Sequence, residues 1–130
     1  MSTHPNIGVI DRMTEAIVEN DRESLGRIFT DDMVFHGRGP IPFAGDHAGV
    51  DGVLTAIGTV FELTDGNVTL EQLFCVADDE WGAEWEHAEF ARNGRTLDMQ
   101  NAFVYRFVDG RVREWWFIAA GPADAAGFWA

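Results

Sequence analysis

Two glutamates two residues apart, Glu84 and Glu86, are the acids of this chain best placed to move a proton. They lie in a run, 83–92, whose alternation puts Glu84, Glu86, Ala88 and Phe90 on one face and Trp85, His87 and Glu89 on the other. In the following run, Leu97, Met99, Asn101, Phe103 and Tyr105 share a face opposite Asp98, Gln100 and Arg106. A carboxylate held among apolar side chains such as Phe90, Met99 and Phe103 would lose water, which raises its pKa and suits it to proton transfer near neutral pH. A second carboxylate on the same face adds repulsion and raises one of the pair further. The competing reading is a solvated strand rim, the ordinary location of acids in a chain of net charge −13.

His36 closes a short apolar run, 33–36, and a histidine there is the natural general acid or base. A structural histidine at a strand end is the alternative. His47 sits in a glycine-flanked loop and reads as structural or exposed, while His87 points away from the Glu86 face. Asn101 is the lone amide on an apolar face. It could orient a substrate carbonyl or hydroxyl, because a buried amide needs partners, and a purely structural role is equally open. Asp98 is read as the ion-pair partner of Arg95 or Arg106.

Composition removes several kinds of chemistry. The 130 residues contain no lysine, so Schiff-base chemistry, lysine-held pyridoxal phosphate and a P-loop are excluded. Cys75 is the only cysteine, which excludes an intrachain disulfide and a cysteine-rich zinc site. No metal site is expected: His36, His47, Glu84, Glu86 and His87 follow no ligand spacing. No phosphate-binding glycine turn follows a strand, and Ser24 stands outside any nucleophile motif. Twenty-two acids against nine arginines repel phosphate and anionic lipid, so neither nucleic acid nor a membrane is an expected partner. There is no apolar run of about 20 residues to span a bilayer. The first residues lack the basic and apolar regions of a signal peptide, and the expected location is cytoplasmic.

The elements that must position these groups divide the chain in two. Apolar residues at helical spacing predict helices over about 5–18, over a short stretch after Asn20 or Asp21, and over about 50–63. A short strand is expected at 33–36, and 37–48, with three glycines and two prolines, reads as a loop. Four strands follow at 68–77, 83–92, 96–108 and 111–119. Asn93-Gly94 and Asp109-Gly110 between them are strong hairpin signals, so an antiparallel meander is expected. No repeat or linker divides the chain, and residues 1–130 are read as one α+β domain.

Asp31-Asp32-Met33-Val34-Phe35-His36, the Gly45-to-Gly49 loop, Gly94-Arg95-Thr96-Leu97-Asp98, Tyr105-Arg106-Phe107, Asp109-Gly110-Arg111-Val112 and Glu114-Trp115 occur in a telling order. In that order they resemble the SnoaL-like branch of the nuclear-transport-factor-2-like superfamily, over nearly the whole chain. The resemblance implies a cone-shaped, curved antiparallel sheet against three N-terminal helices, its open mouth receiving a small apolar molecule. Enzymes of the superfamily usually work without cofactors, by acid–base chemistry. Aligned on the Asn93-Gly94 hairpin and Arg106-Phe107 of the ketosteroid isomerases, the faces of Glu86 and Asn101 look into the cone, with Trp115 and Phe117 from the last strand. The resemblance thus implies His36, Glu86 and Asn101 as catalytic, and Glu84, Phe90, Met99, Phe103, Trp115 and Phe117 as the lining.

Two departures limit the transfer of mechanism. Phe103 stands where the isomerases carry an oxyanion-side aspartate, which removes a hydrogen-bond donor. Glu84 and Phe117 stand at the arginine and second-acid positions of the limonene-epoxide hydrolases. Neither activity is expected intact. On the opposite face, Trp85, Trp116 and Ile118 form an apolar surface, and relatives commonly pair there, so a homodimer is expected. The reading is a small cofactor-independent enzyme acting on an apolar organic molecule by isomerisation, cyclisation, dehydration or hydration. The alternative is a binding or interaction domain of the same fold.

Overall fold

Helix α1 (Pro5–Val18) starts with proline in its first turn, where no amide donor is needed, and His4 Nδ1 accepts from the Asn6 amide. Asp21 caps α2 (Arg22–Ile28) by accepting from the Ser24 amide at 3.1 Å. Strand β1 (Phe29–Arg38), strand β2 (Gly45–Ala48) and helix α3 (Gly49–Leu63) complete the first half. The second half is the meander β3 (Val68–Ala77), β4 (Trp81–Arg92), β5 (Arg95–Val108) and β6 (Arg111–Ala120), then a short helix, α4 (Ala125–Trp129). This computed structural model describes residues 4–120 and 125–130.

The six strands run in the order β2-β1-β6-β5-β4-β3 and form a curved, unclosed mixed sheet with the N-terminal helices on its concave face, an α+β, nuclear-transport-factor-2-like arrangement. Both hairpin turns behave as their sequences demand. Asn93 and Gly94 have φ of 53° and 76°, and Asp109 and Gly110 have 51° and 76°, the paired positive values of a type I′ turn. Alternation then sends Met99, Asn101, Phe103, Tyr105 and Phe107 inward from β5, all nearly inaccessible. They meet Ile10 and Met13 of α1 and Val53 of α3, which are fully buried.

Three features differ from the sequence reading. The sheet is not wholly antiparallel, because β1 pairs parallel to β6 from Val34↔Glu114 to Arg38↔Ile118. β1 spans ten residues rather than four, its first part bridging from α2 to the sheet. Residues 45–48, read as loop, form β2, which pairs antiparallel with β1 through His36↔Asp46. A four-residue edge strand of Gly-Asp-His-Ala carries no apolar alternation to reveal it. The chain folds back because position 37 is glycine: a Cβ there would lie 2.5 Å from the Phe43 carbonyl oxygen. Among the described residues no helix is long and apolar enough to cross a membrane.

Candidate functional site

The concave face of the sheet and helices α1 and α3 enclose a cavity of about 90 Å³. Its walls come from Ile17 of α1, Ile57 of α3 and an aromatic set headed by Phe103, Trp115 and Phe117. Phe103 meets Phe117 edge-on at 4.8 Å, and Trp115 lies nearly parallel to Tyr105 at 5.8 Å. Trp129 of α4 closes one side, touching Phe90 at 5.1 Å. Beside the cavity, between α1 and β3, runs a groove of about 420 Å³ that shares Thr14, Val18, Leu70, Glu84 and Glu86 as walls. Asp11, Glu15 and Glu19 line its outer side.

Glu84 and Glu86 stand where cavity and groove meet, and their surroundings differ. Glu84 is 7% exposed and uses both oxygens: Oε1 accepts from the Tyr105 hydroxyl at 2.7 Å and Oε2 from Gln72 Nε2 at 2.6 Å. Burial, then the Glu84 charge and bond, hold the Tyr105 hydroxyl protonated well above its usual range. Glu86 has a single protein partner among the described residues, Asn101 Nδ2 donating to Oε1 at 3.2 Å. Burial lifts the Glu86 carboxyl from the usual 4.5 to about 7; the Asn101 bond pulls it down, and neighbouring Glu84 pushes it up. Glu84 is a fixed group. Glu86 Oε2 is free to meet a ligand.

The SnoaL-like domain family matches this chain over residues 10–115. The chain belongs to that family. No protein of curated function matches its sequence. Among solved structures, the SnoaL-like domain is similar to a Xanthomonas campestris protein of unknown function with a cystatin-like fold, at 25% identity, 96% of this chain and 98% of that one, and a TM-score of 0.78. Bal32a, from a soil-derived mobile gene cassette, matches at 24% identity, 96% of both chains and a TM-score of 0.80. IdmH, a candidate polyketide cyclase from Streptomyces antibioticus, matches at 21% identity, 90% of this chain and 93% of that one, with a TM-score of 0.71. These likenesses establish the fold.

Of the residues singled out in the sequence, Glu84, Glu86, Phe90, Phe103, Trp115 and Phe117 converge on the cavity of this SnoaL-like domain. Three do not line it. His36 points out of the opposite face, because Phe35 takes the inward position on β1 and is fully buried. The His36 ring stacks on Trp116 at 5.2 Å, with Nδ1 2.8 Å from Asp46 and Nε2 3.0 Å from Glu114. Met99 is buried opposite Ala88, below the level of the cavity. Asn101 is fully buried behind Glu86, so its donor serves that carboxylate rather than a substrate; its Oδ1 has no partner among the described residues.

Tyr105 and Gln72 were missed. Tyr105 was legible as the only tyrosine, on the inward parity of Phe103, whereas Gln72 sits just before a bulge in β3 that no alternation marks. His47 Nε2 donates to the Phe43 carbonyl at 2.7 Å, a structural bond. Asp98 pairs not with an arginine but with His87 on the outer face at 2.7 Å, and that bond raises the His87 pKa. With Glu89 their ligand atoms lie within 4.8 Å of one another, a metal-compatible grouping well away from the cavity that the sequence spacing did not signal. Burial pushes the Cys75 thiol up to about 11, as expected of an inert side chain.

Proposed function

We propose that this SnoaL-like domain is a cofactor-independent enzyme that moves a proton on a small, largely apolar organic molecule, with Glu86 as the group that accepts and returns it. The supporting observation is a carboxyl raised to about 7 on the wall of an aromatic cavity, with one oxygen unengaged. A group titrating there is ionised often enough to take a proton and acidic enough to give it back. Asn101 holds Oε1, so Oε2 faces the substrate in a fixed orientation. Glu84, tied to Tyr105 and Gln72, stands beside it and pushes Glu86 towards its protonated form. Isomerisation, cyclisation, dehydration and hydration all begin with such a transfer. Phe103 and Phe117 offer no donor for an enolate oxygen and no second acid for an epoxide, which separates this chemistry from that of the isomerases and epoxide hydrolases.

The cavity of about 90 Å³ is smaller than the roughly 300–1,000 Å³ usual for ligand sites, so it seats only part of a molecule, and a binding domain without turnover is the second reading. Glu86→Gln separates the two. In an enzyme it lowers turnover by about 10²-fold or more, well beyond its effect on binding. Altered affinity with no turnover in either protein supports the binding domain. We also infer a homodimer through the outer sheet face, where Phe74, Val76, Trp81 and Ile118 are 52%, 55%, 42% and 43% exposed.

A further inference from the structure

We infer that the molecule this cavity takes is an organic cation: an apolar body about one ring wide, carrying an ammonium group that Glu84 and Glu86 receive. The inference rests on the cavity reading above and names the class of its ligand. It begins with an imbalance of charge. Glu84 is more than nine-tenths buried and Glu86 partly so, yet neither meets a cation. The chain has no lysine, and each of its nine arginines lies elsewhere. Arg22, Arg27, Arg38 and Arg113 pair with Asp51, Glu23, Asp46 and Asp32. Arg92 and Arg111 donate to backbone carbonyls, Arg95 and Arg106 lie over Phe128 and Trp81, and Arg12 lines a separate groove beside α2. Carboxylates withdrawn from water are ordinarily paired, and this pair has no partner of opposite charge within the fold.

The surroundings suit a cation that arrives from outside. Asp11 and Glu15 of α1 and Glu19 just after it, spaced four residues apart, line the groove that leads to the glutamates, and no basic side chain lines either groove or cavity among the described residues. That lining attracts ammonium and repels carboxylate or phosphate. Beyond the glutamates, Tyr105 and Trp115 present nearly parallel rings 5.8 Å apart, with Phe103 5.9 Å from Trp115. Ring faces next to a carboxylate are the chemistry that holds an ammonium group and its attached carbon. The carboxylate oxygens engaged by Tyr105, Gln72 and Asn101 retain further lone pairs for N–H donors. The small cavity holds the ring, and the groove leaves room for the rest. Seating a cation beside Glu86 also favours its ionised form, so the bound protein meets its substrate as a base.

Three single-ring probes of similar shape test this: phenethylamine, 2-phenylethanol and phenylacetate, titrated by calorimetry at pH 8. Phenethylamine is expected to bind about tenfold or more tightly than the alcohol, with phenylacetate weakest, the size of a cation–π contact joined to a shielded ion pair. Glu84→Gln and Glu86→Gln, each preserving side-chain shape, should each shrink that preference. An alcohol that binds as well as the amine overturns the inference and leaves the apolar cavity reading standing. A preference for the amine unchanged in both variants also overturns it, because the exposed acids of α1 then hold the amine. Binding by none of the three overturns both readings.

Discussion

Glu86 is costly to the fold as well as suited to chemistry. A carboxyl whose folded pKa exceeds its unfolded value binds its proton more tightly when folded, so it stabilises most at low pH and that contribution is lost as pH rises through the folded value. For Glu86 the window runs from 4.5 to about 7. Full burial would make the loss roughly 3 kcal/mol, and partial exposure reduces it to on the order of 1–2 kcal/mol. Denaturant unfolding at pH 5 and pH 8 should therefore show wild type losing that much more stability than Glu86→Gln, which has no proton to release. Parallel profiles for the two proteins would mean that the carboxyl titrates like an exposed one. The pair of glutamates was legible because strand alternation is strict and Asn93-Gly94 fixes the hairpin register. His36 was misread for the same reason in reverse. Whether residue 35 or 36 turns inward depends on a parallel partner more than seventy residues away, and the local sequence has no sign of it.

Among the elements, the five-residue α4 has a large effect on the cavity. Phe128 is buried, Trp129 forms part of the wall, and Arg92 Nη1 donates to the carbonyls of Phe128 and Ala130 at 2.8 and 3.1 Å. Arg92 belongs to β4, so one side chain joins the helix to the strand that carries both glutamates. Arg92→Ala should cost about 1–3 kcal/mol locally and speed hydrogen exchange in α4 while leaving β5 and β6 protected. Unchanged exchange in α4 would show that the packing of Phe128 and Trp129 holds it without Arg92. The segment Phe128-Trp129 docks because two large apolar groups are unfavourable in water. Its helical form was not legible, five residues being too few to show a period.

At the scale of the whole molecule, two faces of one sheet are put to different uses. Inward residues build the cavity, and outward ones leave Trp81 6.1 Å from Trp116, with Arg106 over Trp81 and Ile118 exposed nearby. A second copy covering this face is expected to make the protein sediment as a dimer at micromolar concentration. Phe74→Glu combined with Ile118→Glu should return it to monomer without loss of helix or strand content. A wild-type monomer at every concentration would leave the outer face without a second copy. The parallel pairing of β1 with β6 has one more consequence, which concerns birth rather than function. The ribosome delivers residues 29–38 long before residues 111–120, and Phe35 cannot pack against Trp115, 4.3 Å away in the finished fold, until both exist. The first half of the chain therefore waits, its apolar faces uncovered, while the local hairpins of the second half form quickly. Completion of the cavity has to follow delivery of β6 and α4, and until then the early helices are the part of the chain that needs shelter.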